Sequence, residues 1–212
     1  MGRDGGGAKR MTRTFVALMI PEAWTAFLDA CARSLAEGTS GLSWVKPENL
    51  HLTIRFLGDL GDSGVRRVCE SVAQSAADLP APLARLGPVG AFPNLKRPRV
   101  IWAGLVEGTD AFVAVAGAVN DALGRQGFGP PDRPTRPHIT LARVRDGARG
   151  FDRLRDAVFP PPPKAAILDR ICVMKSELHP AGSRYTALQE CHLRAPGGAP
   201  PPRPEAEQAP ES

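Results

Sequence analysis

The feature that most limits what this chain can fold into is a repeated tetrapeptide. His51-Leu52-Thr53-Ile54 and His138-Ile139-Thr140-Leu141 share the pattern His-x-Thr-apolar, 87 residues apart, in a chain with only four histidines. Each copy closes a stretch that holds a proline and a basic residue. Side chains alternate across a β-strand. In a strand over Asn49 to Leu57, His51, Thr53 and Arg55 share one face, while Leu50, Leu52, Ile54 and Phe56 share the other. A strand over Pro137 to Val144 sets His138 and Thr140 against Ile139 and Leu141 in the same way. Two such strands, apolar behind and polar in front, predict two lobes related by an approximate two-fold, each giving one strand to a shared cleft.

The remaining elements fit around that pair. Phe15 to Ile20 reads as a buried strand stopped by Pro21, which with Glu22 opens a helix carrying Trp24, Phe27, Leu28, Cys31 and Leu35 at helical spacing. Further helices are expected over Asp62 to Ala77 and Thr109 to Gln126, with a weak one around Asp152 to Val158. Strands are expected at Leu83 to Phe92, Arg99 to Leu105, Ala166 to Ser176 and Arg184 to His192. Strands and helices interleave without a Gly-rich phosphate loop, so the fold class is α+β, built as pseudo-symmetric lobes of antiparallel sheet and helices around a central cleft.

Residues 1–12, rich in glycine, and residues 195–212, rich in proline, have no apolar periodicity to bury and are expected to be disordered. One domain is expected between them, over 13–194. Apolar residues make up 42% of the 212 and charged residues 23%, enough for one core but cramped for two independent ones.

The 27 Lys+Arg against 22 Asp+Glu favour anionic partners without the basic density of a dedicated duplex binder. Only five of those cations are Lys, a skew that a GC-rich genome accounts for more simply than phosphate recognition does. Cys31, Cys69, Cys172 and Cys191 have neither disulfide-like nor zinc-like spacing and read as reduced thiols. No stretch looks like a secretory signal or reaches the length of a membrane span, so no membrane partner and a cytoplasmic location are expected.

A single His-x-Thr is ordinary strand decoration. Two copies, using half of the histidines in the chain, point to chemistry that needs two imidazoles. General acid–base catalysis is such chemistry: one group takes a proton from an attacking nucleophile and another gives one to the departing group. Histidine can hold one neutral and one protonated copy near pH 7. Thr53 and Thr140, one side-chain step from each imidazole, are placed to donate to an oxygen on which charge builds. Arg55 shares the face of His51 on this reading, and Arg133, Arg136 and Arg145 flank the second motif, which gives the cleft a positive field. Neither motif has a carboxylate or cysteine at ligand spacing, and no metal or other cofactor is expected. The residues alone leave open which histidine is acid and which is base.

The sequence resembles the 2H phosphoesterases, and within them the bacterial and archaeal RNA 2′,3′-cyclic phosphodiesterases, first described as 2′-5′ RNA ligases. Residues Arg13 to Leu18 (RTFVAL) match that family's opening strand, and Trp44 to Gly58 (WVKPENLHLTIRFLG) its first motif block. Arg99 to Gly104 (RVIWAG), Arg136 to Arg143 (RPHITLAR) and Ser176 to Tyr185 (SELHPAGSRY) follow in the family's order. The resemblance implies His51 as proton donor to the leaving 3′ oxygen, His138 as acceptor from water, and a 2′-phosphate product. It implies that Arg143 contacts phosphate, although strict alternation puts Arg143 on the face opposite His138, so that a bulge or the strand's end must turn it. Tyr185, the only tyrosine, is a further candidate contact near the substrate or a core residue. Thr135 departs from the family, which usually has Phe there.

The expected partners are RNA with 2′,3′-cyclic phosphate ends or cyclic nucleotides, acted on by a monomer. The rival readings are a 2′-5′ RNA phosphodiesterase or ligase using the same residues, and a non-catalytic module that binds RNA ends.

Overall fold

In the computed structural model, which describes residues 11–150, 162–179 and 182–195, the two motif strands meet at a single pair of residues. β3 (His51–Leu60) and β6 (Ile139–Arg149) run antiparallel, with Leu52 opposite Ile139 as their one paired position. Both side chains are fully buried. Their neighbours in sequence, His51 and Thr53 on one strand and His138 and Thr140 on the other, therefore turn together to the opposite face. The seam between the lobes runs through the middle of both motifs.

Each lobe extends outward from that seam. On one side β3 pairs with β1 (Thr12–Met19), β1 with β8 (Arg170–Glu177), and β8 with β9 (Arg184–His192). On the other, β6 pairs with β5 (Val100–Glu107), β5 with β4 (Leu83–Phe92), and β4 with the short β7 (Ala166–Ile167). β2 (Ser40–Trp44) lies along the free stretch of β6. All the pairings between these strands are antiparallel, as expected for this α+β class.

The helices α1 (Glu22–Ala36), α2 (Asp62–Ala76) and α3 (Thr109–Arg125) cover the back of the sheet. Trp24, Leu28, Cys31 and Leu35 repeat at three- and four-residue intervals on α1, the stripe that a core-facing helix needs. With Val68 and Val72 of α2 and Phe112, Val115 and Val119 of α3, Trp24, Leu28 and Leu35 form one continuous core against Leu18, Leu52, Ile101 and Ile139. A smaller cluster of Phe15, Ala17, Cys172 and Met174 lies on the cleft face of the first lobe.

Two parts of the sheet differ from the sequence reading for physical reasons. β2 was not expected: its Ser-Gly-Leu-Ser-Trp run has no buried alternation because it is an edge strand. Gly41, at φ +74, brings β2 so near β6 that a Cβ would lie 2.7 Å from the Ala148 Cα. The single strand expected over Ala166 to Ser176 is two, because the chain leaves β4 at Ile167, buries Leu168, and joins β1 of the other lobe from Arg170. The weak helix expected around Asp152 to Val158 lies outside the described residues.

The seam supplies a stability prediction. Leu52→Ala and Ile139→Ala each remove a fully buried side chain whose surroundings are fixed by both lobes. Each is expected to cost about 2–5 kcal/mol, the range for buried Leu or Ile truncations. Urea unfolding measures this, and a loss below about 0.5 kcal/mol, the scale of a surface substitution, would show that the lobes do not pack through this pair.

Candidate active site

The two motif strands carry the same irregularity at the same place. Against β1, Val16 pairs with Arg55 and Ala17 with Thr53, which leaves Ile54 as an extra residue. Against β5, Ile101 pairs with Ala142 and Trp102 with Thr140, which leaves Leu141 extra. These are β-bulges, and each breaks the alternation once. Ile54 and Arg55 are both buried, as are Leu141 and Ala142. The next residue then returns to the front: Phe56 is 60% exposed, and Arg143 is exposed as well.

This single device settles two expectations in opposite senses. Arg143 does face the cleft with His138 and Thr140, because the bulge turns it there. Arg55 is turned off the face of His51 by the bulge, yet its side chain still borders the cleft, and Phe56, expected in the core, takes the place on that face. Arg55 is 7% exposed and points toward α3 and the connection after it, where Nη1 donates to Asn120 Oδ1 at 3.4 Å and Nη2 to the Gly129 carbonyl. Burial lowers its proton affinity and the nearby Asp132 carboxylate raises it.

The histidines are held alike. His51 Nδ1–H donates to the Asn49 carbonyl at 2.7 Å, and His138 Nδ1–H to the Arg136 carbonyl at 2.8 Å. In both, the acceptor lies two residues before the histidine. A carbonyl can only accept, so each neutral ring carries its proton on Nδ1 and leaves Nε2 free to accept one. Thr53 Oγ1–H donates to His51 Nε2 at 3.0 Å.

Their environments differ. His51 lies against the Phe15 ring, with centroids 5.0 Å apart, and Tyr185 meets it edge-on at 5.5 Å. Burial pushes the His51 pKa down to about 4, the Asn49 carbonyl opposes the shift, and His138 adds to it. His138 meets the edge of Phe92 at 5.2 Å.

Both imidazoles, both threonines, Arg55, Arg143 and Tyr185 line one cleft of about 1050 Å³. Arg133, Thr135, Arg136 and Arg145 line it too, so most of the expected cations come together. Asp132 is the one acidic residue in that lining, and the cleft is strongly positive. Lys46, Asn49, Phe56 and Phe92 also line it and were not singled out from the sequence. One signal did exist for Asn49. The segments Lys46-Pro47-Glu48-Asn49-Leu50-His51 and Arg133-Pro134-Thr135-Arg136-Pro137-His138 match in their basic residue, proline and histidine, which puts Asn49 in register with Arg136.

Other chemistries find less support among the described residues. No group of three or more His, Cys, Asp or Glu side chains is placed to hold a metal ion. Cys172 is a poor nucleophile, since burial and then Glu190 push its thiol up to about 12. No described helix is long and apolar enough to cross a membrane.

The model of the family described as LigT like phosphoesterase matches residues 18–102 and 105–185. The chain is 30% identical over 181 residues to the RNA 2′,3′-cyclic phosphodiesterase of Thermotoga maritima, covering 85% of this chain and 95% of that one. It is 32% identical over 193 residues to the protein of the same name from Thermus thermophilus, covering 88% and 92%. Among solved structures, TT0787 of Thermus thermophilus superposes with a TM-score of 0.70 at 28% identity, over 86% of this chain and 98% of that one. E. coli LigT in complex with 3′-AMP has the same fold, with a TM-score of 0.66 at 24% identity, over 87% and 99%.

Proposed function

Because the chain belongs to the LigT-like family of 2H phosphoesterases, we propose that it opens the 2′,3′-cyclic phosphate at RNA ends to a 2′-phosphate, with two histidines and no metal. The observation that carries this reading is the seam: the Leu52–Ile139 pair turns two imidazole–hydroxyl pairs onto one face of one cleft. In-line displacement needs proton-handling groups on both sides of phosphorus, and the pseudo-two-fold supplies them.

On this reading His138 takes the proton from water through Nε2, and His51 gives one to the departing 3′ oxygen. Thr53 and Thr140 donate to the non-bridging oxygens as charge builds there. Arg143 holds the phosphate from the face to which the bulge delivers it. Tyr185 packs on His51 and Phe15 and bounds the site on the first lobe. In the free protein His51 is neutral, and the anionic phosphodiester supplies the charge that draws a proton onto its Nε2. All these residues fall within the single domain expected over 13–194. The reaction belongs in the cytoplasm on this reading, where the four free thiols stay reduced.

The test is turnover of a 2′,3′-cyclic nucleotide in excess EDTA, with the product identified. Undiminished hydrolysis to the 2′-phosphate is expected. Loss on chelation with recovery on adding Zn²⁺ or Mn²⁺ would overturn the metal-free mechanism. Tight binding without turnover would make the protein an RNA-end binder.

A further inference from the structure

Arg55 is where the two motif strands part company. The register that pairs Val16 with Arg55 pairs Ile101 with Ala142, so the second lobe has a methyl group where the first has a guanidinium. The bulge turns that side chain to the edge of the cleft, where it still forms part of the lining, and its guanidinium reaches Asn120 on α3 and Gly129 on the connection from α3 to β6. Its Nε is buried without a hydrogen-bond partner among the described residues. A buried cation with one donor unsatisfied is not what stability alone favours, since a well-packed apolar residue in its place is often neutral or stabilising.

The connection that Arg55 grips is unusual in composition. Gly129-Pro130-Pro131-Asp132-Arg133-Pro134-Thr135-Arg136-Pro137 contains four prolines, each with φ fixed near −65°. A segment so restricted carries a displacement at one end along its length instead of absorbing it. Residues from Pro131 to Arg136 form a wall of the cleft, and the carbonyl at the far end, on Arg136, holds His138 Nδ1.

The corresponding carbonyl in the first lobe is secured differently. Asn49, which holds His51 Nδ1, is tied by its own Nδ2 donating to the Ser183 carbonyl at 2.8 Å. Arg136 has no such local tie in the structure's hydrogen bonds among described residues, and its strap is gripped at the Gly129 end.

We infer that Arg55 is a positioning residue for His138: it pins the proline-stiffened strap 129–137 to the strand that carries His51, so each histidine is aimed relative to the other. This rests on the paired-histidine reading above. A misplacement of about 1 Å at a reacting group can cost on the order of a hundredfold in rate.

The test compares Arg55→Met, Arg55→Lys and Asn120→Ala with the wild-type chain. On a 2′,3′-cyclic nucleotide, Arg55→Met is expected to lower kcat on the order of tenfold or more, with KM within about twofold. Its melting temperature is expected to stay level or rise. Arg55→Lys should recover part of the loss. Asn120 does not line the cleft, and Asn120→Ala should lower kcat in the same sense but less, with the Arg55→Met/Asn120→Ala double variant no worse than Arg55→Met alone. The ¹⁵N imidazole shifts of His138 give a readout without substrate: the Nδ1–H form should dominate in wild type and lose population in Arg55→Met. A raised KM with kcat intact would make Arg55 a direct phosphate ligand and overturn the proposal. Unchanged kcat and unchanged His138 shifts would overturn it as well. A wild-type chain that turns over no cyclic nucleotide would refute the proposed function, and the imidazole shifts would still decide the role of Arg55.

Discussion

His51→Ala and His138→Ala are each expected to lower the rate of cyclic nucleotide hydrolysis on the order of a hundredfold or more, the usual scale for general acid–base catalysis. The reason is geometric. Each imidazole is fixed in its tautomer by a carbonyl two residues upstream, and each presents Nε2 to the same cleft. Water or buffer in the vacated position has no such orientation. The wild-type rate should depend on pH as a bell, because activity needs one protonated and one neutral ring, and each single variant should lose one limb. The double variant should be little worse than the worse single one, since groups that act together lose their effects non-additively. Thr53→Ala and Thr140→Ala should keep both limbs and lower the maximum, because hydroxyls stabilise charge without titrating in this range. A single histidine variant with near-wild-type rates and both limbs intact would return its motif to a structural role.

The sequence carried the site further than it carried the sheet edges. The duplicated His-x-Thr placed four of the cleft residues and foretold the two-fold, because period-two alternation is strict as long as a strand stays regular. It failed one residue past the motif. A bulge adds a residue without any marker in composition, and Ile54-Arg55 and Leu141-Ala142 have no glycine to betray one. Arg143 could be suspected of needing a bulge only because the family resemblance demanded a phosphate contact, while Arg55 carried no such demand and was placed by alternation alone. Had the two motif strands been aligned on each other, the need for a bulge at Leu141 would have implied one at Ile54. β2 escaped for a different reason: an edge strand buries too little for apolar patterning to show. The short β7 escaped because Leu168 continues the apolar run of Ala166 and Ile167, and only Asp169 marks the crossing before β8.

Ligand binding should move the His51 pKa by at least two units, and the direction follows from its surroundings. In the free protein burial holds His51 down to about 4, so the ring is neutral across the physiological range. The same shift acts on stability. A histidine whose folded pKa lies below its unfolded value, ordinarily about 6.5, contributes stability that is complete above pH 6.5 and is lost as pH falls toward 4. The protein should therefore weaken on acidification through that window, and His51→Gln should remove this part of the dependence. A bound phosphodiester reverses the balance, because its negative charge sits where Nε2 points and favours the imidazolium. Binding must then take up a proton. Between the free pKa and the higher bound value, affinity should tighten about tenfold for each unit of pH lowered, reaching on the order of a hundredfold over two units. A cyclic nucleotide on the His138→Ala variant suits the measurement, since the diester keeps one charge over this range and is consumed far more slowly than by the wild type. Removing His138 also removes its small contribution to the shift, but burial, the largest cause, remains. Calorimetry in two buffers of different ionisation enthalpy counts the proton, and the imidazole resonances of His51 give both pKa values directly. A free-state titration near 6.5, or a bound-state value no higher than the free one, would rule out phosphate-driven protonation and leave His51 without the proton it is proposed to donate.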